Sequence, residues 1–260
     1  MYKFWYGFFK YATVGPFLMV WNRPSFIGRD RIPAEGPAIL ATNHLAVMDQ
    51  FYIGARCPRK LAFLAKSEYF TTPGLIGRLQ KSFMTAVGQV PVDRNAEDPS
   101  SAALAAGRVA LNDDKILGLA VEGTRSPDGR LYKGRTGTAR IALETGAVVC
   151  PVAFIGTGRV NPIGSWIVRP WKVKVIVADP IYPADYADLV EKVGPYEAAR
   201  VMTDDITLAI QKISGQDYVG IYGTDMKNAL QAGEGYPEGA EPGGALERPF
   251  SEVASKELSH

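Results

Sequence analysis

Short apolar runs alternate with helical patterns from Ala38 onward, and that alternation restricts the fold more than any other feature of the chain. Ala38-Ile39-Leu40-Ala41-Thr42 reads as a strand ending at Asn43-His44, and a helical pattern follows from about 46 to 56. Gly88 to Arg94 reads as a second strand ending in charge. Asp98-Pro99 then supplies a cap and a first-turn proline for an alanine-rich helix over about 100–112. Ile116–Val121, Val148–Phe154 and Trp171–Ala178 are the third, fourth and fifth strand candidates, with helices near 135–145 and from about Pro195 to Ile213. Such an order implies an α/β fold: a mixed, largely parallel sheet flanked by helices. Ligands of these sheets gather at the carboxyl ends of the strands, which is where three polar clusters fall.

The chain has 260 residues, 47% of them hydrophobic, enough for one core-bearing domain of roughly 200 residues with appendages. Residues 23–228 are expected to form that body. Residues 1–22 differ sharply from it: nine of the first 21 are aromatic, and Lys10 and Pro16 interrupt the run. No uncharged stretch there is long enough for a spanning helix, and no small-residue cleavage site marks a signal peptide. Aromatic rings prefer the headgroup level, and Lys3 and Lys10 could snorkel toward lipid phosphates. The expectation is two short helices, broken near Gly15-Pro16, lying in one membrane interface; a soluble pair packed on the core is the alternative. Residues 229–260 hold six glutamates against Arg248 and Lys256 and are rich in Gly and Pro. They are expected to be loosely ordered, and they leave the rest of the chain with a charge of about +6. A modestly basic body suits anionic lipid or phosphate partners, as ordinary solvated surfaces also would, and no nucleic acid is expected among them. Cys57 and Cys150 are too few for a disulfide framework and too isolated for a zinc site, which points to a reducing compartment. Neither a metal nor a cofactor is expected.

His44 is the one histidine apart from the final residue, and Asp49 follows it by five. An imidazole is the natural general base for a hydroxyl, and a carboxylate can fix its tautomer. On one ideal helix five residues turn through roughly 500°, leaving the side chains about 140° apart. They meet only if His44 precedes the helix, with Asp49 about one turn inside it. Taken alone, the two could equally be a cap or a satisfied polar pair. Arg94 ends the second run, and Glu122-Gly123-Thr124-Arg125-Ser126 ends the third, with Lys133 and Arg135 close behind. A guanidinium suits bidentate phosphate contact. Each arginine singly would pass for a surface ion pair; together with His44 they suggest a base beside a phosphate clamp.

In this order the clusters resemble the glycerolipid acyltransferase family that includes 1-acylglycerol-3-phosphate acyltransferases. The N-H-x4-D pattern stands at Asn43-His44…Asp49, a second motif at Gly88…Pro91…Arg94, E-G-T-R at Glu122-Gly123-Thr124-Arg125, and V-x-P-V at Val149-Cys150-Pro151-Val152. The similarity spans about residues 25–180. One departure is Ala46, where many members carry serine two residues after the histidine; this leaves acceptor preference more open. The resemblance implies an amino-terminal two-helix anchor at the cytoplasmic face of a membrane. It also implies transfer of an acyl group from acyl-CoA or acyl-carrier protein to the hydroxyl of lysophosphatidic acid or a related lysolipid. His44 and Asp49 would be catalytic, and Arg94 and Arg125 would hold the acceptor phosphate. Gly123 and Thr124 would shape that pocket, with Glu122 orienting an arginine or binding a glycerol hydroxyl. Asn43, Lys133 and Pro151 are further candidates, Pro151 on the acyl-donor side. The apolar stretch Phe63–Val87 could wall an acyl tunnel, contact lipid or form a core helix. The alternative within the class is acylation of another lysophospholipid or a glycolipid; the competing classes are a thioester hydrolase using the same pair with water, and a silent membrane-bound scaffold.

Overall fold

The computed structural model describes residues 2–92, 99–112, 115–165 and 167–242. The strands are β1 (Ser25–Ile27), β2 (Ala38–Thr42), β3 (Leu61–Lys66), β4 (Gln89–Val92), β5 (Ile116–Ala120), β6 (Leu131–Tyr132), β7 (Val148–Ile155), β8 (Lys174–Val177) and β9 (Tyr218–Val219). Helices α1 (Tyr2–Ala12), α2 (Val14–Trp21), α3 (Asp49–Arg56), α4 (Glu68–Thr71) and α5 (Gly74–Ala86) precede β4. After it come α6 (Pro99–Asn112), α7 (Gly137–Thr145), α8 (Thr157–Val160), α9 (Ala187–Val193), α10 (Pro195–Ser214) and α11 (Gly223–Ala232).

Among the described residues seven strands form one sheet in the order β1-β8-β7-β2-β5-β3-β4, and β6 pairs separately with β9. From β7 to β4 every pairing is parallel, while β8 runs antiparallel to β7. The sheet is therefore mixed and largely parallel, with helices on both faces. β2 lies between β7 and β5, and all five of its residues are buried, which is why it reads as an unbroken apolar run rather than an alternating one. Ile39 and Ala41 join the core under α6, α7 and α10, while Ala38 and Leu40 join the core under α2 and α3. The period of two along the strand divides its side chains between the two layers.

The helical pair at the amino terminus is present, and it is fastened to this body. Leu18 is fully buried in the α2–α3 core. The Tyr6 hydroxyl accepts the Leu61 amide at 3.2 Å, Trp21 Nε1 donates to the Val168 carbonyl at 2.9 Å, and Asn22 Nδ2 reaches the Arg169 and Trp171 carbonyls. Two expectations change here. Lys10 does not snorkel outward; its Nζ donates to the Cys57 carbonyl at 2.5 Å and lies over the Tyr11 ring. The break falls at Thr13, because Pro16 sits in the first turn of α2, where its missing N–H is not needed. Gly15 permits the tight reversal: a Cβ there would stand 1.9 Å from the Lys10 carbonyl oxygen.

Two further expectations are corrected. Phe63–Val87 is not one helix; it holds the end of β3, then α4 and α5, and the exposed side chains of Leu75, Ile76 and Leu79 leave the core altogether. The tail from residue 229 is not loose throughout. α11 continues to Ala232, Ala240 is buried, and Arg130 donates to the carbonyls of Ala240 and Glu241 at 2.7 and 3.2 Å.

Because α2 fills part of the core, Leu18→Ala should destabilise the whole protein by about 2–5 kcal/mol. Urea unfolding followed by far-UV circular dichroism measures it. A loss below about 1 kcal/mol would show that the helical pair lies outside the cooperative unit.

Candidate active site

The chain leaves β2 at Thr42 and must turn sharply before α3. Asn43 fixes the strand end. Its Oδ1 accepts the Phe154 amide at 2.7 Å, and its Nδ2 donates to the Phe154 carbonyl at 3.0 Å and to Gln216 Oε1 at 2.7 Å. A side chain thus continues the β2–β7 ladder for one more residue. Asn43 is wholly buried, so it shapes the turn and does not reach a ligand.

His44 comes next, with its side chain 30% exposed, while that of Asp49 is 4% exposed. His44 Nδ1 and Asp49 Oδ2 are 2.9 Å apart, and the same oxygen accepts the amides of Leu45 at 2.8 Å and Ala46 at 3.0 Å. Asp49 is the first residue of α3, not one turn inside it, and the carboxylate reaches back over the turn that precedes the helix. Two backbone donors already converge on Oδ2, so the His44 nitrogen facing it must be a donor too. That places the proton on Nδ1 and leaves Nε2 as an acceptor on the open side, the tautomer a general base requires.

Glu122 follows β5 and holds His44 from the other side. Its Oε2 accepts the His44 amide at 3.1 Å and its Oε1 accepts the Tyr132 amide at 3.0 Å, while the His44 carbonyl accepts the Ser126 amide at 2.8 Å. Expected on the acceptor phosphate, Glu122 is instead 1% exposed with both oxygens taken by backbone. Burial pushes its carboxyl up to about 8, assisted by the charges of Asp49 and Asp128 and opposed by the two amides. Gly123 has φ +71°, which is what requires glycine at the turn, and the flexible stem of Arg135 crosses it, with Cδ 2.9 Å from where a Cβ would stand. Thr124 and Arg125 are half-buried, and among the described residues Arg125 has no hydrogen-bond or ion-pair partner.

The remaining candidates divide. Arg94 lies outside the described residues. Lys133 is half-buried with Nζ 5.6 Å from the Tyr222 ring centre. Pro151 is buried within β7, in register with Ala41, and its carbonyl accepts the Ala178 amide at 2.8 Å. It stands inside the sheet where the β7–β8 ladder breaks, a place that tolerates proline. The thiols of Cys57 and Cys150 are buried and free; burial raises both, that of Cys150 to about 12, the reverse of an activated nucleophile.

Residues 215–224 are a part of the site that sequence reasoning missed. β9 pairs with β6, the Lys133 amide donates to the Ile221 carbonyl at 3.0 Å, and Gln216 Nε2 donates to the Gly129 carbonyl at 2.6 Å. The signal available was Tyr218-Val219-Gly220-Ile221-Tyr222 after the helix-ending Gly215, an aromatic and β-branched run typical of a strand.

Residues 23–155 match the family described as Acyltransferase. The chain belongs to that family. It is 32% identical over 159 residues to the chloroplastic 1-acyl-sn-glycerol-3-phosphate acyltransferase of Arabidopsis thaliana, a match covering 60% of this chain and 42% of that one. To the 1-acyl-sn-glycerol-3-phosphate acyltransferase of Bacillus subtilis it is 25% identical over 189 residues, covering 72% and 86%. The crystal structure of the 1-acyl-sn-glycerophosphate (LPA) acyltransferase PlsC from Thermotoga maritima superposes with a TM-score of 0.54 at 25% identity, covering 77% of this chain and 79% of that one. The chain spans less than half the length of the chloroplastic relatives, 42% in Arabidopsis thaliana and 44% in Brassica napus. Within this acyltransferase the family match ends at the last residue of β7. Gln216 and Tyr222 therefore lie in a part of the chain that the match does not cover, although they touch the residues it does.

Glu122→Gln tests the buried carboxylate. Glu122 titrates higher in the folded protein than in the unfolded chain, so its contribution to stability is fully present below the ordinary carboxylate range. That contribution is lost as pH rises through about 8. An amide accepts only one of the two backbone N–H groups, so the variant should be less stable at pH 5 by about 1–3 kcal/mol. The gap should narrow toward pH 9. Urea midpoints measured from pH 5 to 9 decide it, and parallel pH trends in the two proteins would assign the titration to another group.

Proposed function

We propose that this acyltransferase moves a fatty acyl group from acyl-CoA or acyl-carrier protein to the free hydroxyl of 1-acylglycerol-3-phosphate, giving phosphatidic acid. The observation that carries the proposal is His44 Nδ1 held 2.9 Å from Asp49 Oδ2, beside a loop whose Arg125 has no hydrogen-bond or ion-pair partner among the described residues. Nε2 takes the proton of the acceptor hydroxyl as its oxygen attacks the thioester carbonyl. The tetrahedral intermediate expels the thiolate, which receives that proton back from the imidazolium. Asp49 keeps the ring oriented and favours its charged form during the step. No acyl-enzyme is formed, in keeping with two thiols that burial holds protonated. Arg125, with Arg94, holds the acceptor phosphate.

An open cleft runs between α1, α2, α3, β3 and the start of β4, lined by Phe9, Phe51, Phe63, Val87 and Gln89 among others. It abuts α3, which begins at Asp49, and its apolar rings suit an acyl chain. No helix among the described residues is long and apolar enough to cross a membrane. The side chains of Tyr11, Phe17, Val20 and Trp21 are exposed on the helical pair, and amphipathic helices of this kind lie within one leaflet's headgroup region. We place that contact at the cytoplasmic face, where acyl thioester donors are made.

Purified protein supplied with radiolabelled acyl-CoA and a panel of lysolipids should convert lysophosphatidic acid to phosphatidic acid. His44→Ala should lower kcat by about 10² or more. Undiminished transfer in that variant would sink the mechanism, and release of free fatty acid alone would reassign the pair to hydrolysis. Arg125→Ala should raise the KM for lysophosphatidic acid roughly tenfold or more, as expected for losing a charge-assisted phosphate contact. A larger rate with a different lysolipid would redirect the substrate assignment.

A further inference from the structure

Arg135 is an exposed arginine held by several contacts, and among the described residues no carboxylate pairs with it. Its amide donates to the Val121 carbonyl at 2.8 Å, and its aliphatic stem crosses Gly123, with Cδ 2.9 Å from where a Cβ would stand. The guanidinium lies 4.9 Å from the centre of the Tyr222 ring, and Nη2 donates to Thr224 Oγ1 at 2.7 Å. That hydroxyl in turn faces Asp225 Oδ1 at 3.3 Å, so the nearest carboxylate engages threonine, not arginine. Lys133 Nζ lies over the same ring at 5.6 Å. Among the described residues neither cation has an ion-pair partner.

Two cations on one ring repel each other unless an anion lies between or before them. A guanidinium that has already lost its rotamer freedom to stacking and one hydrogen bond keeps most of its five donors for a ligand. The ligand chemistry that fits is a phosphate monoester, able to take bidentate contact from Arg135 and a point charge from Lys133. The loop beneath is tied to His44 on both sides, through the Glu122 carboxylate and the Ser126 amide. A phosphate bound over Gly123 therefore belongs to the molecule whose hydroxyl meets Nε2.

On the reading that the site acylates lysophosphatidic acid, we propose that Arg135 is a further acceptor-phosphate residue, and that Tyr222 and Thr224 are the positioning residues that aim it. Acceptor recognition then depends on a segment of the chain beyond the family match. It also explains why β9 and α11 are folded against this loop: the start of α11 meets Thr124, whose methyl would lie 3.2 Å from a Cβ on Gly223.

The test uses the full chain, with 1-oleoylglycerol-3-phosphate and 1-oleoylglycerol as paired acceptors and acyl-CoA varied separately. Arg135→Ala should raise the KM for the phosphorylated acceptor tenfold or more while leaving that for 1-oleoylglycerol and for acyl-CoA within twofold. Arg135→Lys should recover part of the loss. Tyr222→Leu and Thr224→Ala should each raise the same KM three- to tenfold with kcat little changed. An unchanged acceptor KM in Arg135→Ala overturns the proposal, as does an increase confined to acyl-CoA, which would give the site to the donor's phosphates. An equal loss with both acceptors would mark a merely structural role and overturn it too. Thermal protection by glycerol-3-phosphate supplies a readout apart from turnover. Protection of the wild type that disappears in Arg135→Ala supports the phosphate site, even if the wild type fails to acylate lysophosphatidic acid and the broader function falls.

Discussion

The buried carboxylate of Glu122 joins two parts of the site that lie far apart in sequence. One oxygen accepts the amide of His44 and the other that of Tyr132. A carboxyl group can take both donors, ionised or protonated, because its hydroxyl oxygen also accepts; an amide side chain would turn a donor toward one of them. Burial opposes ionisation of this carboxyl, and the charges of Asp49 and Asp128 oppose it further. Two backbone hydrogen bonds offset part of this, and the rest is supplied by the fold that closes over it. In return the backbone of His44 is fixed from outside its own turn. Asp49 fixes the imidazole, Asn43 fixes the strand end, and Glu122 fixes the residue between them.

Tyr132 carries the connection onward. It lies in β6, which pairs with β9, and its hydroxyl donates to Asp128 Oδ2 at 2.9 Å. Asp128 pairs with Arg130, and Arg130 holds the carbonyls of Ala240 and Glu241. The loop after β5 is thus enclosed between β2 and a carboxyl-terminal segment, each tied to it by hydrogen bonds. A glutamate beside Gly-Thr-Arg invites a reading as a ligand-binding residue, because sequence displays the neighbours of a side chain along the chain and not those across the fold. The two-residue strands β6 and β9 carry almost no periodic signal, and their pairing spans nearly ninety residues. The long apolar runs were different. β2, β5 and β7 are buried on both faces, so their residue types alone exclude a solvated face, and α10 has both a proline start and a glycine stop. β3 escaped notice for the opposite reason: it merges into the apolar stretch that continues to Val87, and a short apolar run does not reveal whether its period is two or 3.6. Within the site, the His44–Asp49 contact was legible because the spacing allowed only one geometry, a turn followed by a helix. The partner of that turn across the sheet was not.

The amino-terminal pair shows how one composition can serve two neighbours. Tyr6, Leu18 and Asn22 face the body, while Tyr11, Phe17 and Val20 face away from it. Lys10, which in an isolated amphipathic helix would seek lipid phosphate, instead satisfies the carbonyl of Cys57 at the end of α3. That carbonyl is one of those a helix terminus leaves unpaired, and a cation is the favoured partner there. Since α3 begins at Asp49, the segment proposed to touch the membrane is mechanically continuous with the helix that orients the base. α3 is thus held at its far end by Lys10 and at its near end by the His44–Asp49 contact.

Charge around the site is sorted by depth. The carboxylates of Asp49 and Glu122 are buried behind His44, whereas Arg125, Lys133 and Arg135 are half-buried or exposed in front of it. The low-dielectric side therefore holds the negative charge of Asp49, which favours the imidazolium, while Glu122, its carboxyl held up to about 8, adds little charge near neutral pH; the solvated side holds positive charge suited to the proposed phosphate monoester. The reverse arrangement would fail twice. Buried cations would disfavour protonation of the ring, and surface carboxylates would repel the acceptor. Sorting by depth also keeps the two effects from cancelling, because an exposed arginine is screened within a Debye length while a buried carboxylate 2.9 Å from Nδ1 is not. On the proposed function, base and clamp then act on one acceptor molecule at once, the clamp on its phosphate and the base on its hydroxyl.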